Sequence, residues 1–198
     1  GRNFLVHPNV KVLAVYPYPV HGWQGVSQWG QVRQFHDQGI IFAENMTPAA
    51  VIGAALPLHA AASWEVGRRF DHMVLSGVLV EDSNSGRVRR GPFGMALPTY
   101  DITDHDHERF VSATRWLAEM HFSMGAEAVH LPFAGLHLAR TVDDLSKVDP
   151  KRIRPQDLEM FTPHLMGTAH MGTGQRQSVV DLDGAVWDLP GCYVADAS

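Results

Sequence analysis

The chain opens on apolar residues spaced for extended structure. Residues 10–16 (VKVLAVY) alternate enough for a strand, which Pro17 and Pro19 stop. Residues 25–35 and 39–43 read as two further strands or extended segments. Thr47 and Pro48 then start a helix, with threonine as cap and proline in the first turn. Residues 49–70 continue that helix, with a break expected at Pro57. Residues 73–81 and 86–90 flank the turn residues Ser83, Asn84, Ser85 and Gly86, which predicts a hairpin joining the two runs; residues 95–102 are again extended. The clearest periodicity belongs to residues 104–124. Phe110, Thr114, Leu117, His121 and Met124 recur every three or four positions with Val111 and Ala118 beside them, one face of a helix. Thr103 and Asp104 offer caps, Asp104, Asp106 and Glu108 suit the positive helix end, and Gly125 ends it. Residues 127–133 predict a strand, and the polar stretch 143–156, with Pro150 and Pro155, a surface connection.

Beyond Phe161 the pattern tightens into turns. Val179 and Val180 precede Asp181, and Asp183-Gly184 predicts a two-residue hairpin turn before Ala185, Val186 and Trp187, the glycine supplying a positive φ. Pro190-Gly191 makes a second turn, and residues 192–195 read as a short apolar strand. A block of strands, a helix, a hairpin, then helix and strand is the order of an α+β fold with a mainly antiparallel sheet. Asp196 falls where the last strand would end, and ligands of α/β sheets gather outside the carboxyl ends of strands. A buried carboxylate there needs donors, which a ribityl or ribose hydroxyl can supply. Asp196 could equally cap a following helix, and spacing alone leaves the two readings even.

Composition narrows the class. In 198 residues, 45% hydrophobic and 19% charged, there is material for one full domain and a fragment of a second. A net charge of −5 argues against nucleic acid, whose phosphates call for basic patches. The single cysteine, Cys192, excludes an intrachain disulfide and a metal-binding cysteine pair, and its apolar surroundings predict an inert buried thiol. The longest apolar run, residues 48–62, is interrupted by Pro57 and His59 and falls short of the ~20 apolar residues of a membrane span. No signal peptide and no initiator methionine precede Gly1, which suggests a fragment whose N-terminus is absent; a cytoplasmic setting is favoured over secretion.

Two ordered motifs carry a family resemblance. The first is H-x-x-G-T-x-x-M-G from His164 to Gly172; the second is G-x-Y-V-A-D-A-S from Gly191 to Ser198, with Val-Val-Asp and Asp-Gly between them. Together they resemble the C-terminal part of the glucose–methanol–choline (GMC) oxidoreductases, flavoproteins that oxidise alcohols. The segment GRNFLVHP (Gly1 to Pro8) is similar to a family stretch near the flavin, although His7-Pro8 is also an ordinary turn. The resemblance implies that residues 1–190 form an incomplete substrate-binding domain, with lead-in residues 1–9 coming from a flavin domain. Residues 191–198 would start the strand that returns to it.

A search for G-x-G-x-x-G, which would hold a pyrophosphate at a helix N-terminus, finds only Gly172-Thr173-Gly174, with Gln177 in place of the third glycine. The phosphate-binding half is expected to lie outside these 198 residues. The implied function is FAD-dependent oxidation of CH–OH groups, with FAD as cofactor, a small-molecule alcohol as substrate and the missing N-terminal flavin domain as partner.

The resemblance also assigns residues. His164 matches the catalytic histidine, a neutral imidazole suited to taking the hydroxyl proton near neutral pH. Asp196 and Ala197 match flavin contacts. From the residues alone, His164 would rather pack against Met166 or Met171 and bond a backbone carbonyl. His170 stands where the family often carries arginine, and supporting the loop is its expected part. Family members place a second catalytic Asn or His beyond V-A-D-A-S, so the 198 residues alone are expected to be inactive and colourless. The alternative reading is a non-catalytic binding or assembly module retaining the substrate-domain fold; a hydroxysteroid or sugar dehydrogenase of the same superfamily is a third.

Other chemistry recedes. Twelve histidines invite a metal site from His164, His170, Asp104, His105, Asp106 and His107, but none has a compact ligand spacing, and no metal is expected. Ser27, Ser63, Ser76 and Ser112 lack a G-x-S-x-G elbow. Arg87, Arg89 and Arg90 predict a solvated face. Trp23, Trp29, Trp64, Trp116 and Trp187 are expected in the core rather than on a sugar-stacking platform.

Overall fold

β1 (Asn9–Val15) is buried along its whole length, so it has no solvent side to mark with a polar alternation. In the computed structural model, which describes residues 1–54 and 60–198, it lies inside a six-stranded sheet of order β2-β3-β4-β1-β7-β8. The other members are β2 (Gln31–Val32), β3 (Ile40–Glu44), β4 (Met73–Val80), β7 (Ala128–His130) and β8 (Leu138–Ala139). Every neighbouring pair is antiparallel. The fold is therefore α+β with a mainly antiparallel sheet, as the order of elements predicts.

The chain divides into two compact units. The sheet unit comprises Pro8–Glu81 and Asp104–Phe161, and the loop unit Gly1–His7, Asp82–Thr103 and Thr162–Ser198. Within the sheet unit both faces of β1 are covered. Leu13 and Val15, opposite Leu75 and Met73, pack with Met46, Ile52 and Val66, the last two from α1 (Ala49–Ala54) and α2 (Ala60–Arg68). The break expected at Pro57 lies outside the described residues. Val12 and Ala14 point the other way, toward α3 (Asp104–Ser123), whose Phe110, Val111, Leu117 and Ala118 are buried.

α3 follows its sequence pattern closely. Gly125 adopts φ 91° and closes the helix with two capping bonds, Gly125 N–H to Phe122 O (3.0 Å) and Ala126 N–H to His121 O (3.0 Å). Asp106, buried in the first turn, pairs with Arg109, which also donates to the carbonyls of Gln38 and Glu81. His121 bonds the Tyr16 hydroxyl through Nδ1 (2.9 Å) and Ser76 Oγ through Nε2 (3.1 Å). Burial pushes its pKa down to about 4, so it stays neutral.

In the loop unit, β5 (Arg87–Arg90) and β6 (Ala96–Thr99) form a two-stranded ribbon. Arg87, Arg89 and Arg90 are exposed along it, as a solvated face should be. The hairpin predicted between residues 73–81 and 86–90 does not form, because β4 pairs with β1 and β3 and β5 pairs with β6. The chain only bends at Ser83 and Asn84, and turn-forming residues do not choose a strand's partner.

Other expectations are corrected as well. Of residues 25–35 only Gln31–Val32 is strand, paired with Ala43 and Phe42 of β3. Residues 192–195 form no strand either: Tyr193 makes a lone bridge with Ala185, and Cys192 is half-buried rather than buried. The tryptophans are not core. Trp29 is 88% exposed and Trp64 69%, Trp23 and Trp187 are exposed as well, and half-buried Trp116 stacks on Phe35. The indole N–H explains two of them: Trp23 donates to Asp71 (2.7 Å) and Trp187 to Ser178 (3.0 Å), bonds that hold a ring near water. Among the described residues no helix is long and apolar enough to cross a membrane.

Candidate active site

The three segments that carry the family resemblance meet inside the loop unit. Leu5 and Met166 exchange backbone hydrogen bonds (2.9 and 3.0 Å), laying residues 1–7 along the H-x-x-G-T loop. From the same loop Gly167 N–H donates to Ala197 O (3.0 Å) and Ala169 N–H to Ser198 O (2.5 Å), which brings in the A-D-A-S segment. Gly167 makes this possible. At φ 84° a side chain is disfavoured, and an added Cβ would sit 2.2 Å from Asn3 O. The hairpin that follows differs in detail from the prediction. Gly184 N–H donates to Asp181 O and Asp181 N–H to Ala185 O, so the loop has three residues with Gly184 at its left-handed end. The second turn forms at Pro190-Gly191, with Gly191 at φ 81° and Cys192 N–H donating to Leu189 O (3.1 Å).

His164 is half-buried, and its ring partner is a second imidazole. Its Nδ1 lies 3.0 Å from Nδ1 of His7. The rings are 25° from coplanar with centroids 5.0 Å apart. The centroid separation exceeds the nitrogen separation by about two ring radii, so the imidazoles meet edge to edge and share one hydrogen. Thr162 holds both partners. Its Oγ1 accepts from His164 N–H (3.0 Å) and lies 2.5 Å from Val6 O and 3.2 Å from His7 O, to which it can donate. On the other side the Asp82 carboxylate accepts from the N–H groups of His7 (2.7 Å) and Val6 (3.4 Å). These bonds fix His7 at φ 38°, a conformation uncommon for any residue but glycine.

The remaining assigned residues lie in the same unit. Asp196 is exposed, which corrects the buried carboxylate expected from its position. Its Oδ1 accepts from Ser198 N–H (2.7 Å) and Oγ–H (2.5 Å), and these bonds lower its pKa. This is the local geometry of a cap, and it leaves Oδ2 open to another donor. The Ala197 carbonyl accepts from Gly167 N–H (3.0 Å), which ties the A-D-A-S segment to the loop. His170 receives a hydrogen bond from the Asn3 amide (3.3 Å), and its own carbonyl accepts from Val179 N–H (3.1 Å), a loop-supporting position. Among the described residues no three His, Cys, Asp or Glu side chains converge on a potential metal position.

Sequence reasoning singled out His164, His170 and Asp196, but not the residues around them. Asp82 and Thr162 carry no motif, and Asn3 lies in the GRNFLVHP segment with no part assigned to it. His7 stood in the GRNFLVHP segment, yet nothing in the sequence joins it to His164 across 157 residues.

Comparison with known proteins agrees with the motifs. Residues 82–198 match the GMC oxidoreductases, and the chain belongs to that family. It is similar to a GMC-type oxidoreductase of Mycobacterium tuberculosis strain CDC 1551, 27% identical over 199 residues, which cover all of this chain and 31% of the relative. The GMC-type oxidoreductase of strain H37Rv is similar to the same extent. The chain thus spans about a third of the length of the curated relatives it matches.

Proposed function

We propose that the protein to which this chain belongs is an FAD-dependent oxidoreductase acting on the CH–OH group of a small alcohol. In this reading residues 1–190 contribute the substrate-binding domain and residues 191–198 begin the return to the flavin domain. The observation that carries it is the His7–His164 pair, two imidazoles sharing a hydrogen at 3.0 Å, assembled from the segments that resemble the family.

The residues present suit the cofactor. Asp196 keeps one carboxylate oxygen open to a hydroxyl donor, and the Ala197 N–H lies beside it. When bound, FAD would supply the hydride acceptor, and the protein the positioning and proton acceptance. His164 would take the hydroxyl proton at Nε2, the nitrogen His7 does not occupy. The loop that presents His164 is held by Thr162, Gly167 and Leu5, so the base need not be ordered during the reaction.

The experiment is anaerobic mixing of the full-length, flavin-loaded protein with a panel of primary, secondary and polyol alcohols. Bleaching of the flavin absorbance by at least one alcohol supports the reading. A protein that binds no flavin, or whose flavin no alcohol reduces, would favour the binding or assembly module.

A further inference from the structure

We infer that His7 is a positioning residue for His164: it accepts the His164 Nδ1 hydrogen and so keeps His164 in the tautomer whose Nε2 is free to take a proton. The inference rests on the reading of His164 as base.

The argument starts from the hydrogen count. Each neutral imidazole carries one N–H, and two nitrogens 3.0 Å apart accommodate a single hydrogen between them. Two arrangements are possible. If His7 Nδ1–H donates, His164 Nδ1 accepts and the one hydrogen of His164 sits on Nε2. A histidine in that form has no lone pair left at the nitrogen facing away from His7, and it cannot act as a base there. If His164 Nδ1–H donates instead, Nε2 keeps its lone pair. Only the second arrangement is compatible with a general base. When Nε2 takes the substrate proton, His164 becomes an imidazolium, and its Nδ1–H bond to His7 becomes charge-assisted. The acceptor thus stabilises the charged form as well as choosing the neutral tautomer. No atom is lost in the step: the alcohol proton ends on Nε2, and the Nδ1 hydrogen stays on His164.

The surrounding bonds support a positioning part rather than an accidental contact. One hydroxyl, Thr162 Oγ1, touches the backbone of both partners, accepting from His164 N–H and reaching the carbonyls of Val6 and His7. Asp82 holds the Val6 and His7 N–H groups from the other side. His7 is kept at φ 38° by these contacts, and strained backbone of this kind persists only where its surroundings over-determine it. The unusual φ also selects clean variants. Glycine fits it without strain and deletes the ring. Asparagine tolerates it and places Oδ1 about where histidine has Nδ1, an acceptor in the same position.

The test uses the full-length protein loaded with FAD and labelled with ¹⁵N-histidine. The wild type should show His164 with hydrogen on Nδ1 and a bare Nε2, its resonances identified by their loss in His164→Gln. In His7→Gly the tautomer should become mixed, and flavin reduction by the alcohol should slow by roughly 10-fold to 100-fold, within the range of general-base effects. His7→Asn should recover most of that rate and the Nδ1–H tautomer. The inference is overturned if wild-type His164 carries its hydrogen on Nε2, or if His7→Gly leaves tautomer and rate unchanged. A His7→Asn variant as slow as His7→Gly would also overturn it. If His7→Gly does not fold, the wild-type tautomer and the His7→Asn rate still decide. The base reading fails separately: it falls if His164→Gln keeps its rate of flavin reduction, whereas a dead His164→Gln beside an unaffected His7→Gly sinks the positioning part alone.

Discussion

The sheet unit and the loop unit are built on opposite terms. In the sheet unit, hydrogen bonds run along strand ladders and α3, and side chains such as Phe110, Leu13 and Leu75 have no measurable exposure. In the loop unit, the segments around the candidate site are joined by single bridges, a shared threonine hydroxyl and a carboxylate. Asn3, His7 and Phe93 all adopt positive φ there, while His21 is the one described non-glycine residue of the sheet unit to do so. Burial stabilises the first; local polar networks and constrained backbone shape the second. Strain tends to gather where function needs it, and the unit with the constrained backbone is the one in which the active site is proposed.

The contrast can be broken most forcefully in the sheet. Phe110→Ala should cost roughly 4 kcal/mol of unfolding free energy, the usual scale for a fully buried phenylalanine. The readout is the denaturation midpoint of the full-length protein. A loss under about 1 kcal/mol would show that α3 does not anchor this core.

Acid offers the next largest effect. The His121 pKa is pushed down from 6.5 to about 4 by burial. Between those values the unfolded chain binds the proton and the folded chain does not. Stability is therefore full above pH 6.5 and falls as pH drops toward 4, by on the order of 3 kcal/mol at about 1.4 kcal/mol per unit. His130, pushed down to about 4 by burial and by the positive charges of His137 and Arg140, acts in the same direction. Stability measured across that range should decline less steeply in His121→Asn than in the wild type. An equal slope in both would remove His121 from the account.

The loop unit is sharpened by a smaller change. Gly167→Ala places a methyl 2.2 Å from Asn3 O at φ 84°, a clash with backbone that cannot simply rotate away. A cost of roughly 2 kcal/mol follows from the strain, and it should appear as protease sensitivity in residues 162–172 and lower flavin content. Wild-type flavin content with unchanged proteolysis would mean that the loop tolerates being opened.

How much was readable beforehand follows the same division. α3 was legible because its apolar face repeats at helical spacing and Gly125 marks its end. β1 was legible because residues 10–16 alternate enough for a strand that Pro17 stops, although burial on both faces leaves only Lys11 to mark the alternation. The partners of β4 and β5 were not, since strand pairing is non-local and the turn-forming residues at 83–86 carry no information about it. The tryptophans misled because a large apolar ring with an N–H is as well served half-exposed, as Trp23 is on Asp71. At the site, the H-x-x-G-T-x-x-M-G and V-A-D-A-S strings were legible as motifs, and Gly167 explains itself through φ. The His7 contact was not, because only folding brings residue 7 to residue 164.

The central claim is that His164 is the proton acceptor of an alcohol-oxidising flavoprotein. The direct measurement is the rate of flavin reduction by alcohol, followed by rapid anaerobic mixing, in full-length wild type and His164→Ala with FAD bound to both. The account predicts a fall of ~10²-fold or more with flavin occupancy unchanged. A His164→Ala protein that reduces its flavin at near the wild-type rate would contradict it.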